Sequence, residues 1–235
     1  MEQRSLLANM PDNGLVLAVD GPSGTGKSTT CRELAKRLDA KYIDTGAMYR
    51  VATLAVLRAG VDPADVPSVI DVTASLPLSV SDDPDSNQIL LAGEDVSAEI
   101  RGPEVTANVS AVSAIPQVRE NLVALQRKLA RSAHRAVVEG RDIGTVVLVD
   151  APAKAFLTAS AQVRAQRRYE QEKAAGRDTD FNTVLAEVER RDALDSSREI
   201  SPLRPAEDAE VIDTSKMSRE EVLDSLIRVI ERSAQ

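Results

Sequence analysis

The chain has 235 residues, 43% hydrophobic and 28% charged, enough for one sizeable core rather than two clear domains. Its formal charge of -8 argues against a nucleic-acid binder, and aromatics at 2% with no Trp leave Val, Leu, Ile and Ala to fill the interior. The lone cysteine, Cys31, excludes an internal disulfide; no apolar run is long enough for a bilayer, and residues 1–14 lack the basic start and apolar run of an export signal, so a soluble cytoplasmic α/β protein with no membrane partner is expected.

Leu15–Val19 predicts a buried strand and Lys27–Leu38 a helix. Lys41–Asp44 is a short strand candidate, and Thr45 opens a second helix running to about Arg58. Pro63 to Ser75 predicts a helix with proline at an early position. From Leu76 to Val96 short apolar pieces alternate with Asp, Asn, Ser and Gly, as in small antiparallel strands. Helices are predicted again at Pro103–Ser113 and Pro116–Ser132, and buried strands at Arg135–Glu139 and Lys154–Leu157. Between those strands, Val146-Val147-Leu148-Val149 reads as a packed strand ending in a turn residue, Asp150, rather than a metal-ligating strand end. Helices at Ala161–Ala174 and Asn182–Leu194, a strand at Glu210–Asp213 and a helix at Ser218–Arg232 with Ser218 as its cap complete the pattern. Alternating strands and helices imply a parallel sheet covered on both faces.

One turn carries chemistry. Gly21-Pro22-Ser23-Gly24-Thr25-Gly26-Lys27-Ser28 fits G-x-x-x-x-G-K-[ST] at every required position, between a strand and a helix, with Thr29 next in line. Such a loop turns successive backbone N–H groups onto a phosphate, with a helix N-terminus behind them. Lys27 would reach the outer phosphates and the Ser28 hydroxyl would ligate magnesium, so ATP with Mg²⁺ is expected here. Asp20 is a weaker candidate to contact a metal-bound water. The guanine-reading N-K-x-D and the switch D-x-x-G of GTPases are absent from the chain. A kinase needs a second, cationic site, and arginines supply candidates. Arg50 ends the run from Asp44, and Arg141-Asp142 follows a predicted strand directly, where parallel sheets bind ligands. Arg191, Asp195 and Arg198 share a predicted helix face, as do Arg164, Arg167 and Arg168. Spacing alone leaves the first set between a site and an i,i+4 surface pair, and the second between a site and a solvated face.

Together these segments resemble the bacterial cytidylate kinases (CMP kinases), nucleoside monophosphate kinases. The resemblance is carried by DGPSGTGKST at 20–29, YIDTGAMYR at 42–50, GEDVSAEIR at 93–101, SAVSAIPQVRE at 110–120, EGRDIGTVV at 139–147, FLTASAQVRAQRR at 156–168 and ERRDALDSSR at 189–198. It implies a P-loop kinase with a five-stranded parallel sheet flanked by helices, a monophosphate-binding insertion at about 61–113 and a mobile helical lid at 160–178. It implies transfer of the γ-phosphoryl of ATP to CMP or dCMP by a monomer. Lys27 and Ser28 would serve ATP and magnesium. Thr45, Arg50, Arg141 and Arg198 would surround the acceptor phosphate. Ser110, Arg119 and Asp142 would read cytosine, and Arg191 and Asp195 would meet the ribose. Arg164 and Arg168 would act from the lid, with Arg167 a further candidate. Relatives often have Asp where Glu139 stands and Pro where Val149 stands. His134, Cys31 and Met48 are read as structural, with Tyr49 packing at the border of the acceptor pocket. Two other functions stay open: a kinase of the same fold with another small acceptor, and a nucleotide-dependent binding protein with no acceptor chemistry.

Overall fold

Residues 14–234 are described by the structure, a computed structural model; the stretch read for an export signal lies, apart from Gly14, outside them. The chain opens with β1 (Leu15–Asp20), α1 (Lys27–Arg37), β2 (Lys41–Asp44) and α2 (Thr45–Arg58). The Asp44 carboxylate starts α2 by accepting from the Ala47 N–H at 2.9 Å. Next come α3 (Val66–Thr73), the short strands β3 (Leu78–Val80), β4 (Ile89–Leu91) and β5 (Glu94–Asp95), a 3-10 turn at Glu99–Arg101, and α4 (Pro103–Ala114). Pro116 starts α5 (Pro116–Ser132), which leads into β6 (Arg135–Glu139). After β7 (Ala153–Thr158) a helical pair, α6 (Ala161–Ala174) and α7 (Phe181–Ser196), precedes β8 (Glu210–Asp213) and α8 (Arg219–Ser233). Ser218 and Glu221 form a reciprocal capping box at the start of α8.

The main sheet has the order β2-β6-β1-β7-β8, every neighbour parallel. Alternation along β1 assigns its two faces. Leu15, Leu17 and Val19 pack with Leu34 of α1 and Leu226 of α8, while Val16 and Ala18 face Met48 of α2 and Leu122 of α5. Each fully buried leucine contributes about 1.5–3 kcal/mol, which is how a core almost without aromatic rings closes. The sheet β3-β4-β5 is antiparallel, and its Ile89 and Leu91 pack with Ile100 on Val51 and Leu54 of α2. The β3–β4 loop is strapped back: Arg32 donates to Pro84 O and Ser86 O at 3.0 and 2.6 Å, and the Tyr42 N–H donates to Asp82 O at 2.8 Å. That last bond occupies part of the open edge of β2.

The expected strand at 146–149 does not form. β6 and β7 flank β1 on opposite sides, so the connection must cross the ends of the strands and has no edge to pair with. Residues Ile143–Val147 coil instead into a π-helical turn. The Leu148 N–H donates to Ile143 O at 2.7 Å, Arg127 satisfies Val146 O and Val147 O, and Val149 is left exposed. The helix expected from Pro63 starts at Val66, because residues 62–65 are held in a turn and Asp65 caps Ser68. Among the described residues no helix is long and apolar enough to cross a membrane.

Candidate active site

The loops after β1, β2 and β6 converge at the carboxyl ends of the central strands, beside α4, α6 and α7. They enclose a cavity of about 380 Å³. One end is the glycine-rich turn. Gly21 has φ +142 and lies so close to β7 that a Cβ would sit 2.0 Å from Leu157 O, so no other residue fits. Gly24 has φ +83, and a Cβ there would meet the Cβ of Arg164 at 2.9 Å. Thr25 is buried and its hydroxyl donates to Pro22 O at 3.1 Å, bracing the turn from inside. The Lys27 ammonium folds back onto the loop, donating to Gly21 O at 2.6 Å and Pro22 O at 2.8 Å. Burial and the nearby Arg141 push its pKa down to about 7.

Two carboxylates brace the turn. Asp20 does not stand free for a metal-bound water. Its oxygens accept from the Ile143 and Gly144 N–H groups, each at 2.8 Å, which ties the start of the loop to the segment carrying Arg141 and Asp142. Burial pushes it up to about 6 despite those bonds. Glu139 ends β6 beside Ser28, whose Oγ donates to Glu139 Oε1 at 2.7 Å; the Tyr42 hydroxyl donates to the same oxygen at 3.0 Å. Glu139 Oε2 is buried and has no partner. Burial and the neighbouring Asp44 raise this acid to about 7. Sequence reasoning passed over Glu139, although a carboxylate ending the strand next to the phosphate-loop strand was a legible signal.

The other end of the cavity is cationic. Arg50, Arg141, Arg168, Arg191 and Arg198 all line it. Arg50 donates to Ile100 O and Thr106 Oγ1 at 2.9 and 3.0 Å. Burial, with Arg191 and Arg168 nearby, pushes Arg50 down to about 9; burial and Arg141 push Arg191 down to about 10. Groups that repel one another this way gain from a shared anion. The Nε atoms of Arg191 and Arg198 are buried without partners. Thr45 donates through Oγ1 to Glu139 O at 2.7 Å.

Asp195 is the hub of this end. Arg141 Nε donates to it at 3.1 Å, Arg198 pairs with it, and the Ser110 hydroxyl reaches it at 3.5 Å. Burial works to raise this acid, yet Arg141, Arg198 and Arg191 outweigh it and hold it below the usual carboxylate range. The surface-pair reading of Arg191 and Asp195 therefore gives way: Asp195 is 4% exposed and its ion pairs are to Arg141 and Arg198. Arg198 itself lies two residues beyond the end of α7 and also donates to Ser113 Oγ at 2.9 Å.

Deeper in the wall, Arg119 and Asp142 form an ion pair with both residues 4% exposed. Arg119 Nη1 donates to Ser113 O at 3.1 Å, and its guanidinium lies 5.2 Å from the ring centre of Tyr49. Arg168 lines the cavity while pairing with Glu172. Arg164 does not line it: its side chain donates to Ala159 O at 2.9 Å and Ser23 O at 3.3 Å and pairs with Asp192. Arg167 likewise reaches Gly24 O and Thr214 O. These two arginines clasp α6 to the outside of the glycine-rich turn. Gly21, Pro22 and Thr25 support the turn, whereas Ser23, Gly24, Gly26, Lys27, Ser28 and Thr29 face the cavity.

Fold and cradle define a P-loop kinase. A family model described as cytidylate kinase matches residues 17–232, and the chain belongs to the cytidylate kinase family. The Corynebacterium glutamicum cytidylate kinase is 70% identical over 226 residues, covering 96% of this chain and 98% of its own. That of Corynebacterium diphtheriae is 66% identical over the same coverage. Among solved structures, an uncharacterized protein from Eubacterium ventriosum aligns over 93% of this chain and 98% of its own, with a TM-score of 0.52 and 15% identity, a likeness of fold alone.

Proposed function

We propose that this protein transfers the γ-phosphoryl group of ATP to CMP or dCMP, giving ADP and CDP or dCDP. The observation that carries the acceptor is the buried Arg119–Asp142 pair in the wall of a cavity otherwise ringed by guanidinium groups. Cytosine presents an amino donor and two acceptors on one edge. The Asp142 carboxylate accepts from the amino group and Arg119 donates to the acceptor edge. Uracil would set a carbonyl against the carboxylate, leaving buried polar groups unpaired.

The backbone N–H groups of residues 23–28 cradle the ATP phosphates, and Lys27 leaves its loop carbonyls for the outer ones. Magnesium fits the residues present: Ser28 Oγ lies 2.7 Å from Oε1 of Glu139, a carboxylate whose other oxygen has no partner. No cluster of three acidic, His or Cys ligands occurs among the described residues, so a magnesium ion held by Ser28 would take its remaining ligands from the nucleotide and water. Magnesium, when bound, offsets charge on the β- and γ-oxygens. Thr45, Arg50, Arg141 and Arg198 aim an oxygen of the CMP phosphate at the γ-phosphorus. The new P–O bond forms as the bond to ADP breaks. Arg191 and Asp195 hold the ribose and Ser110 the base. Residues 160–178 act as the lid and keep water out: Arg168 already lines the cavity, and Arg164 leaves Asp192 and Ser23 O on closure to reach the transferring group, while residues 61–113 close over the acceptor.

An ADP-release assay with ATP and Mg²⁺ across CMP, dCMP, UMP, AMP and shikimate tests this. Turnover is expected with CMP and dCMP, far less with UMP, and none with AMP or shikimate. AMP turnover comparable to CMP, or no ADP with any acceptor, overturns the assignment.

A further inference from the structure

We propose that Ser201 is a positioning residue for base recognition: it fixes the plane of the Arg119 guanidinium and so sharpens discrimination between cytosine and uracil. The inference rests on the base-reading role given to Arg119 above.

Ser201 lies in the loop after α7 and does not line the cavity, yet it is 6% exposed. Its φ is +55, in the left-handed region that side chains rarely occupy. The next residue, Pro202, adds to the conflict, because a residue before proline is driven toward extended backbone. Two other non-glycine residues with positive φ, Asp39 and Ala92, sit just past a helix end and at a hairpin tip, where such angles are ordinary. Ser201 occupies neither kind of place, so something else holds a residue with a side chain there.

The hydroxyl supplies a reason. Arg119 Nε donates to Ser201 Oγ at 3.2 Å. Nη1 donates to Ser113 O at 3.1 Å and Nη2 donates to Asp142. A guanidinium has five N–H groups. With every nitrogen anchored once, one N–H remains on each Nη for the two acceptors of a cytosine edge. The anchors come from three segments: the end of α4, the loop after β6 and the loop after α7. Without Ser201 the buried Nε–H loses its acceptor and the group can rotate about the other two bonds. The same loop carries Arg198, and the Leu203 N–H closes it by donating to Asp195 O at 2.8 Å.

Steady-state kinetics with CMP and UMP on Ser201→Ala, Ser201→Gly and Arg119→Gln, with thermal melting of each, tests the proposal. Both Ser201 variants are expected to raise KM for CMP and lower the CMP:UMP ratio of kcat/KM about tenfold, with kcat within about threefold of the parent. Ser201→Gly, freed of the backbone conflict, is expected to melt above Ser201→Ala while losing the same discrimination, which separates positioning from folding. If both Ser201 variants keep the parental ratio while Arg119→Gln loses it, the proposal falls and the cytosine-reading assignment stands. If Arg119→Gln also keeps the ratio, the cytosine-reading assignment fails and takes the proposal with it. Equal losses in kcat for CMP and UMP, tracking a lower melting temperature, also overturn it.

Discussion

Replacing Asp142 by Asn changes one atom of a buried carboxylate and should move substrate choice more than shape. Asp142 and Arg119 are each 4% exposed, so solvent screens their interaction little. The amide keeps one acceptor, which stays with Arg119 because that charge is buried and needs it. Its NH₂ then meets the base. For CMP this removes a charge-assisted hydrogen bond and sets donor against donor, costing about 1.5–3 kcal/mol, or roughly 10- to 150-fold in kcat/KM. For UMP the same NH₂ meets a carbonyl, so turnover should rise. The CMP:UMP ratio is therefore expected to drop by about two orders of magnitude or more. Arg119 also loses its counter-charge. The retained acceptor limits the damage to about 1–3 kcal/mol of stability, a fall in Tm of about 2–12 °C for a chain of this size. A coupled ADP-release assay with both acceptors, beside a thermal melt, reads all three quantities. An Asp142→Asn protein that melts as expected but keeps the parental ratio refutes the reasoning.

Lys27→Ala and Arg198→Ala are each expected to cost roughly 10³-fold in kcat with the far-UV spectrum unchanged; full turnover in either removes that residue from the mechanism. Lys27 also predicts a proton signature. Burial and the nearby Arg141 hold it down to about 7 in the free protein, and an adjacent nucleotide phosphate should raise it again. ADP binding without metal should then take up protons at pH 8 and fewer at pH 6. Titration calorimetry in buffers of different ionisation heat reads this, and uptake that does not shrink from pH 8 to pH 6 contradicts it. Cys31 is fully buried and burial raises its thiol well above the usual range, so a thiol reagent should label the protein only after unfolding; fast native labelling would argue against this packing.

The phosphate loop was legible because its chemistry is local: Gly21 to Ser28 need one another at fixed spacing, and the strand and helix around them are strongly patterned. The parallel sheet followed from alternation of buried strands and helices, and the segment at 76–96 read as small antiparallel strands from its turn residues. What stayed hidden depends on contacts far apart in the chain. The valine run at 146–149 has strand propensity, but topology denies it an edge and Asp20, over a hundred residues away, caps a coil in its place. Arg191 and Asp195 stand four residues apart, yet Asp195 pairs with Arg141 from another segment. Arg164 reads as a free lid cation, whereas Asp192 and Ser23 O hold it in this arrangement. Glu139 looks like the last residue of a strand until Ser28 and Tyr42 are seen to share its oxygen.

The most direct measurement of phosphoryl transfer between the two ends of the cavity follows the terminal phosphate of ATP labelled at the γ position. Incubated with magnesium and CMP, the protein should deliver the label into CDP, with little label released as inorganic phosphate. Label appearing only as inorganic phosphate, or remaining in ATP while CMP stays unconverted, would contradict it.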